Sequence, residues 1–397
     1  MIVGDSPQAL IVNVSLPDAE GYFADRANAG FNAVWINLLC NGYTGGRSDG
    51  TTFDKIAPFS TPGDLSEPNE QYFRRADAMI RIAASYGLTV FLDPIETGGW
   101  LDVLRKNGIA KDYLFGEWLG NRYKEFPNIV WFNGNDFQQW EDPDADAAVL
   151  AVARGIKATD KHHIHTVELD YSTSGSRDDS NWTPIIGLDA AYTNYPTYAQ
   201  VLREYDRRAP MPVFMVEANY EFEHEYSGPE TLRRQEYWSL LSGASGQLYG
   251  NKFIWQFIDG WKDNLQTTGV RELQYVTKLF ARRPWFRLVP DQRHELVTAG
   301  YGRFELIGSV NDSNYVTAAA TPDGTLAIAY LPTRRTVTID LGRMNGEVNA
   351  HWYDPTRGTY ISVPGSPFRN AGSRNFTPPS KNWTGDADWV LVLATAR

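Results

Sequence analysis

The chain predicts an α/β fold, a (β/α)8 TIM barrel followed by a small antiparallel β-sandwich, and three observations carry that prediction. From residue 1 to about residue 283, short β-branched or aromatic runs alternate with longer segments of helical period, the rhythm of parallel strands joined by crossover helices. Eight such units fit a closed barrel of roughly 250 residues better than an open doubly wound sheet, and no glycine-rich phosphate turn follows the early strands. After Arg282-Arg283-Pro284 the runs shorten and are spaced by turns such as Asp323-Gly324 and Asp354-Pro355, a pattern of antiparallel strands. The expected domains are a catalytic barrel over 1–283 and a sandwich over 284–397.

The barrel strands are expected at 2–3, 33–38, 89–93, 129–133, 164–167, 190–194, 213–217 and 253–257. Helices are expected at 18–29, 69–86, 110–126, 144–158, 198–208, 229–241 and 269–281. Gly30 and Gly87 stand where helix C-caps belong, each shortly before a strand, and Pro127-Asn128 stops the helix ahead of Ile129. The segment 168–188 has no helical period, so the fifth unit lacks a clear crossover helix. Gly45-Gly46 reads as part of a long rim loop after the second strand. In the second domain, strands are expected at 315–320, 325–330, 336–341, 348–353 and 389–394.

Composition narrows the function. Of 397 residues, 42% are hydrophobic, yet no apolar run approaches the roughly 20 residues of a membrane span, which argues against a membrane partner. With 37 basic and 48 acidic side chains the net charge is −11, opposite to the footprint of a nucleic-acid binder. A single cysteine, Cys40, excludes a disulfide framework or multi-thiolate metal site within one chain. The 13 Trp, 21 Tyr and 19 Phe are in excess and point to carbohydrate, because neutral sugars bind by stacking on flat rings. No basic segment followed by an apolar stretch and cleavage site opens the chain, and Met1 leads almost at once into a strand, which reads as a shortened N-terminus and leaves the compartment open.

Active sites of such barrels lie at the C-terminal ends of the strands, so the polar residues that follow each apolar run are the candidates. The fourth run ends Asn133-Gly134-Asn135-Asp136, and the seventh ends in Glu217. Glycosidic cleavage requires one protonated carboxyl to serve the leaving oxygen and one ionised carboxylate to attack the anomeric carbon or activate water. Asp136 is assigned the acid/base role and Glu217 that of nucleophile, against the simpler reading that both cap helices or bind arginine at the rim. Glu221, Glu223 and Glu225 follow closely, but Glu221 lies beyond the expected strand and ranks below Glu217. Asp5, Asp93, Glu96, Tyr195, Trp255 and Gln256 occupy other strand ends and are candidates for sugar contacts. His162, His163 and His165 lack metal-site spacing and are expected to be structural. No metal or cofactor is required, and neither a Gly-x-Ser-x-Gly elbow nor a P-loop occurs.

With those residues in view, the sequence resembles the apiosidase-like glycoside hydrolases, whose barrel precedes a collagen-binding-type sandwich. The resemblance covers nearly the whole chain. It rests on Gly4-Asp5-Ser6, Gly30-Phe31-Asn32, Asn128-Ile129-Val130-Trp131, and the run from Pro212 through Glu217 to Tyr220-Glu221. It implies a retaining hydrolase with Asp136 and Glu217 in the roles above, and a terminal apiosyl or other furanosyl unit of a plant glycan or glycoside as substrate. In the wider clan an Asn-Glu pair stands where this chain has Asn135-Asp136; the Asp agrees with the family, and Asn135 replaces a glycine found in many relatives. The clan's asparagine hydrogen-bonds the sugar 2-hydroxyl, and the resemblance extends that role to Asn135. The strand and turn that relatives carry before Gly4 do not precede it here. Another exo-glycosidase, such as an arabinofuranosidase, and a non-catalytic carbohydrate-binding protein are the competing readings. The sandwich tryptophans Trp352, Trp383 and Trp389 are read first as buried packing and second as a glycan surface.

Overall fold

The computed structural model describes residues 1–395. In chain order the first part contains β1 (Ile2–Asp5), α1 (Leu10–Asn13), α2 (Leu16–Asn28), β2 (Ala33–Asn37), α3 (Glu70–Ser85), β3 (Thr89–Asp93), α4 (Thr97–Asn107) and α5 (Ile109–Tyr123). There follow β4 (Ile129–Phe137), α6 (Pro143–Thr159), β5 (His165–Leu169), β6 (Thr173–Gly175), β7 (Asp189–Thr193), α7 (Thr197–Tyr205), β8 (Val213–Glu217), α8 (Pro229–Leu241), β9 (Gly246–Tyr249), α9 (Lys252–Trp255) and α10 (Thr268–Ala281). The sheet order β5-β4-β3-β2-β1-β9-β8-β7-β6 is that of a nearly closed barrel, in which β6 is a short antiparallel addition beside β7. The fold is thus the expected (β/α)8 barrel.

Local chemistry sets the element ends. Ser15 caps α2 by accepting the Asp18 N–H at 3.2 Å, Asn69 caps α3 through Gln71 N–H at 3.0 Å, and Asp142 caps α6 through Asp144 N–H at 3.0 Å. Every residue of β2, β5 and β7 is buried, as parallel strands covered on both faces require.

Two expectations are corrected. The eighth strand is β9, not 253–257: Asn251 accepts the Phe253 N–H at 2.9 Å and turns Lys252–Trp255 into a helical turn. The aromatic run Phe253-Ile254-Trp255 imitates a strand, while Gly246-Gln247-Leu248-Tyr249, with a glycine and an amide, does not advertise one. Helix α4 was not expected, because Gly98-Gly99 in its first turn lower its propensity. Both glycines are there for space, since a Cβ at Gly98 would strike the Tyr43 ring and one at Gly99 the Asn41 side chain. Over 168–188 no α-helix forms; β6 and a single 3-10 turn fill the segment.

The chain packs as two compact units, one of residues 2–193 with 248–266 and the other of 194–247 with the residues from 267 onward. In the first, α5 and α6 lie close enough that a side chain at Gly116 would meet the Val152 carbonyl and one at Gly155 that of Tyr113.

In the second, α8 and the antiparallel strands are joined. The strands are β10 (Val289–Pro290), β11 (Val297–Ala299), β12 (Thr317–Ala320), β13 (Leu326–Leu331), β14 (Val337–Asp340), β15 (Val348–Asp354), β16 (Thr359–Ser362), β17 (Ser373–Phe376) and β18 (Trp389–Thr395). They form a six-stranded sheet, β10-β12-β13-β18-β15-β16, and a three-stranded sheet, β11-β14-β17, around a core that includes Trp352 and Trp389. Trp383 is instead 70% exposed, with the Arg357 guanidinium 4.5 Å above its ring. Two buried arginines on α8 reach this sandwich. Arg233 pairs with Asp388 at 2.8 Å, Asp386 at 2.9 Å and Glu272 at 2.6 Å. Arg234 donates to the carbonyls of Val310, Asn311, Ser313 and Pro332 at 2.9 to 3.2 Å. Beside them the Tyr237 ring stacks on Tyr330 with centroids 4.8 Å apart.

Candidate active site

Strand β4 does not run straight to its end. Its register with β5 slips between Asn133 and Phe137, and Gly134, Asn135 and Asp136 all have positive φ, of 107°, 62° and 52°. Such a bulge re-aims side chains at a strand end, and left-handed backbone at two non-glycine residues stores strain of about 1 kcal/mol or more each. Gly134 has no alternative, because a Cβ would collide with the Glu168 carbonyl. Neighbouring groups hold the turn. Thr97 sends its hydroxyl to the carbonyls of Gly134 and Asn135 at 2.7 and 3.0 Å, Glu96 forms an isolated parallel bridge with Gly134, and Glu168 Oε2 accepts the Asp136 N–H at 3.1 Å.

The side chains of this turn are equally fixed. Asn135 is buried, and its Oδ1 accepts from Asn37 Nδ2 at 2.8 Å; Asn37 in turn accepts from Trp35 Nε1 at 2.8 Å. Asp136 is half-buried, and Tyr43 donates its hydroxyl to Oδ2 at 2.7 Å. Burial raises the Asp136 carboxyl above its ordinary range; hydrogen bonds from Tyr43 and Tyr192 work against the rise and the charge of Asp170 adds to it. A carboxyl shifted in that direction keeps its proton closer to neutrality and can serve as a general acid. Tyr43 comes from the rim loop. Its N–H donates to Asn41 Oδ1 at 3.0 Å, and Asn41 Nδ2 donates to the Gly99 carbonyl at 2.7 Å, so the loop is seated on the first turn of α4.

The other strand ends of this unit differ among themselves. Asp93 and Glu96 are fully buried, and burial pushes both carboxyls well up; the charge of Asp93 adds to the rise at Glu96. Asp5 is fully buried too, but it is committed to structure: Oδ2 accepts from Tyr22 at 2.7 Å and pairs with Arg26 at 3.2 Å, while Oδ1 accepts the Ser6 N–H. It therefore braces α2 against β1, fully buried among these partners. Trp255 and Gln256 do not end a strand but close α9. The Trp255 carbonyl accepts the Ala9 N–H at 2.9 Å, and Gln256 fills the space left by Gly45 of the rim loop. His163 is structural, between Asp160 at 2.6 Å and the Phe126 carbonyl at 2.7 Å, and buried His165 stacks with Trp131.

In the other unit Glu217 is the last residue of β8 and is half-buried. Two residues on, Asn219 is locked by Gln235, whose Oε1 accepts both its N–H and its Nδ2 at 3.2 and 3.0 Å. Glu221, the rival carboxylate, is spent elsewhere: it accepts from Thr267 Oγ1 at 2.6 Å and from Gly269 N–H at 2.9 Å, and so sits at the N-terminus of α10. Tyr195 offers its carbonyl to Gln235 Nε2 at 3.3 Å and keeps its ring half-buried.

Three residues of the site escaped sequence reasoning. Tyr43 lies in a loop with no periodic signal, and Tyr192 lies inside a strand whose neighbours explain it as packing. Glu168 had a readable signal, an acid directly after the apolar run 164–167, in the position that drew attention to Asp136 and Glu217.

Comparison with known proteins identifies the family and the fold. Residues 1–287 match the family described as "Apiosidase-like, catalytic domain", and residues 304–394 match "Putative collagen-binding domain of a collagenase". No curated protein matches significantly. Among solved structures, one described as a glycoside hydrolase superposes with a TM-score of 0.84 at 23% identity, covering 100% of this chain and 92% of its own. A glycoside hydrolase family 5 structure from Bacteroides vulgatus gives 0.83 at 21% identity, covering 99% and 89%. At these identities the likeness shows the shared barrel-and-sandwich fold, while the family match over most of the chain shows descent: the protein belongs to the apiosidase-like family and is a glycoside hydrolase.

Proposed function

We propose that the protein is a retaining exo-glycosidase that removes a terminal apiosyl or related furanosyl unit from a plant glycan or glycoside, with Asp136 as acid/base and Glu217 as nucleophile. The observation that carries the reading is the state of the carboxyls at the two strand ends. Asp136 is held on a strained bulge with its proton affinity raised, and Glu217 ends β8 while its neighbour Glu221 caps a helix.

In the first step Asp136 passes its proton to the glycosidic oxygen as Glu217 attacks the anomeric carbon; the carbon–oxygen bond breaks and the aglycone leaves as an alcohol. In the second step Asp136, now a carboxylate, takes a proton from water, whose oxygen displaces Glu217 and returns the free sugar with retained configuration. Asn135 supplies an amide beside the acid for the 2-hydroxyl of the sugar. The apiosyl assignment follows the family description of the catalytic region.

The test is hydrolysis of a panel of nitrophenyl furanosides and pyranosides, apioside and arabinofuranoside included, by the parent, Asp136→Asn and Glu217→Gln, with the anomer first released followed by NMR. Preference for the apioside, retention, and loss of turnover in both variants are expected. Parental activity in both variants would end the mechanism, and preference for another sugar would replace the substrate.

A further inference from the structure

The acid/base has a partner that its family description does not name. Glu168 is the penultimate residue of β5, is almost fully buried, and meets the β4 bulge twice. Its backbone carbonyl is so close to Gly134 that only glycine fits, and its Oε2 accepts the Asp136 N–H at 3.1 Å. A carboxylate oxygen of Glu168 also lies within 4.8 Å of one of Asp136.

Why a buried carboxylate should accept that one N–H is a physical question. Slippage of the β4–β5 register removes the ladder partner that a straight strand would offer Asp136, and a buried amide must find an acceptor. A serine, an asparagine or a water would serve that need. A glutamate can do more. When ionised, its hydrogen bond to the amide is charge-assisted and about twice as strong as a neutral one, which would offset the strain of a left-handed Asp136 at φ 52°. A negative charge there would also disfavour ionisation of the carboxyl beside it.

We propose that Glu168 is a positioning residue for hydrolysis, fixing the Asp136 backbone in the turn that presents its carboxyl and placing beside it a charge that keeps the proton on. This rests on the reading of Asp136 as the acid/base. Other groups act on the same carboxyl from the elements around it: Tyr43 of the rim loop, Tyr192 of β7, Asp170 after β5, and Glu96 after β3. Tyr43 and Tyr192 favour the ionised form, and Asp170 the protonated form. Glu168, unlike these four, accepts the backbone N–H of Asp136.

Glu168→Gln and Glu168→Ala separate the two effects. Glutamine keeps an acceptor oxygen for the Asp136 N–H and discards the charge; alanine discards both. Titration of the Asp136 carboxyl by ¹³C NMR, assigned by its loss in Asp136→Asn, needs no substrate. In Glu168→Gln its pKa is expected to fall by about one unit, and the alkaline limb of kcat/KM on the hydrolysed aryl glycoside should move down with it. Glu168→Ala should lose about 100-fold in kcat/KM on a phenyl glycoside and far less on the 2,4-dinitrophenyl glycoside, whose leaving group needs no proton in the glycosylation step that kcat/KM reports. An unchanged Asp136 titration in Glu168→Gln, or an equal loss on both leaving groups in Glu168→Ala, would overturn the proposal. Should Asp136→Asn itself retain parental rates on both substrates, the acid/base assignment fails instead.

Discussion

The Tyr43 hydroxyl meets Asp136 Oδ2 at 2.7 Å, so a residue of the rim loop holds the carboxyl that ends β4. A phenol donating to a carboxylate stabilises the ionised form, and here it partly cancels the effect of burial. Loop and acid are thereby coupled: whatever displaces the loop changes the proton affinity of the acid.

Tyr43→Phe should therefore raise the Asp136 pKa further and shift the alkaline limb of the kcat/KM profile upward by a few tenths of a unit to about one unit. Tyr43 is 38% exposed, so folding should be preserved. A pH series at substrate concentrations well below KM reads this directly, and a downward shift would contradict the hydrogen-bond direction.

Asp136→Asn should lower kcat/KM by about 10²- to 10⁴-fold on substrates with poor leaving groups and much less on activated aryl glycosides. Comparing a phenyl with a 2,4-dinitrophenyl glycoside checks it, since only the former needs an acid.

Gly134→Ala should destabilise the fold by about 3 kcal/mol or more, because the new methyl group meets the Glu168 carbonyl and φ 107° disfavours any side chain. Urea denaturation followed by tryptophan fluorescence gives the midpoint; a midpoint equal to the parent's would mean that the bulge has room to relax.

Arg233→Met leaves Asp388 and Glu272 buried without their cation and should cost about 3–5 kcal/mol. Burial already raises the Glu272 carboxyl to about 7, opposed by Arg233, so loss of the arginine should raise it further. The variant is thus expected to recover part of its stability as pH falls from 8 to 6, which a pH series of melting temperatures would reveal.

The Asp160–His163 pair makes stability depend on pH from both sides. His163 is raised by its hydrogen bond to Asp160, so its contribution is full below the ordinary histidine pKa and is lost as pH rises through the folded value. Asp160 is lowered by hydrogen bonds from His163, Trp131 and the backbone against the opposing effect of burial, so its contribution is full above the ordinary aspartate pKa and is lost in strong acid. His163→Gln should flatten the decline of the melting temperature above about pH 6.5, as calorimetry across pH 5 to 9 would show.

Most of the framework was legible because strands buried on both faces write themselves as continuous apolar runs: 89–93 and 213–217 coincide with β3 and β8, and 229–241 with α8. The eighth strand was illegible for the converse reason, since a short run with Gly246 and Gln247 carries little strand preference and the aromatic run behind it carries too much. Asp136 and Glu217 were visible as acids that follow apolar runs. The bulge was not, because it depends on a carbonyl of the neighbouring strand and not on the residues of β4 alone. Asp5 looked like a ligand residue by position and proved to be the partner of Arg26, a pairing that only the packing of α2 on β1 reveals.

The two arginines of α8 have a bearing on how this enzyme can be dissected. They thread the helix next to β8 into the C-terminal sandwich, and Gln235, the next residue along, grips the loop that leaves Glu217. A shortened version that stops at the end of α10 would strip counter-ions from Arg233, carbonyls from Arg234 and the stacking face from Tyr237, all on the helix that follows the strand ending in Glu217. The sandwich is therefore not detachable cargo, and swapping it for another module would mean redesigning the helix beneath it.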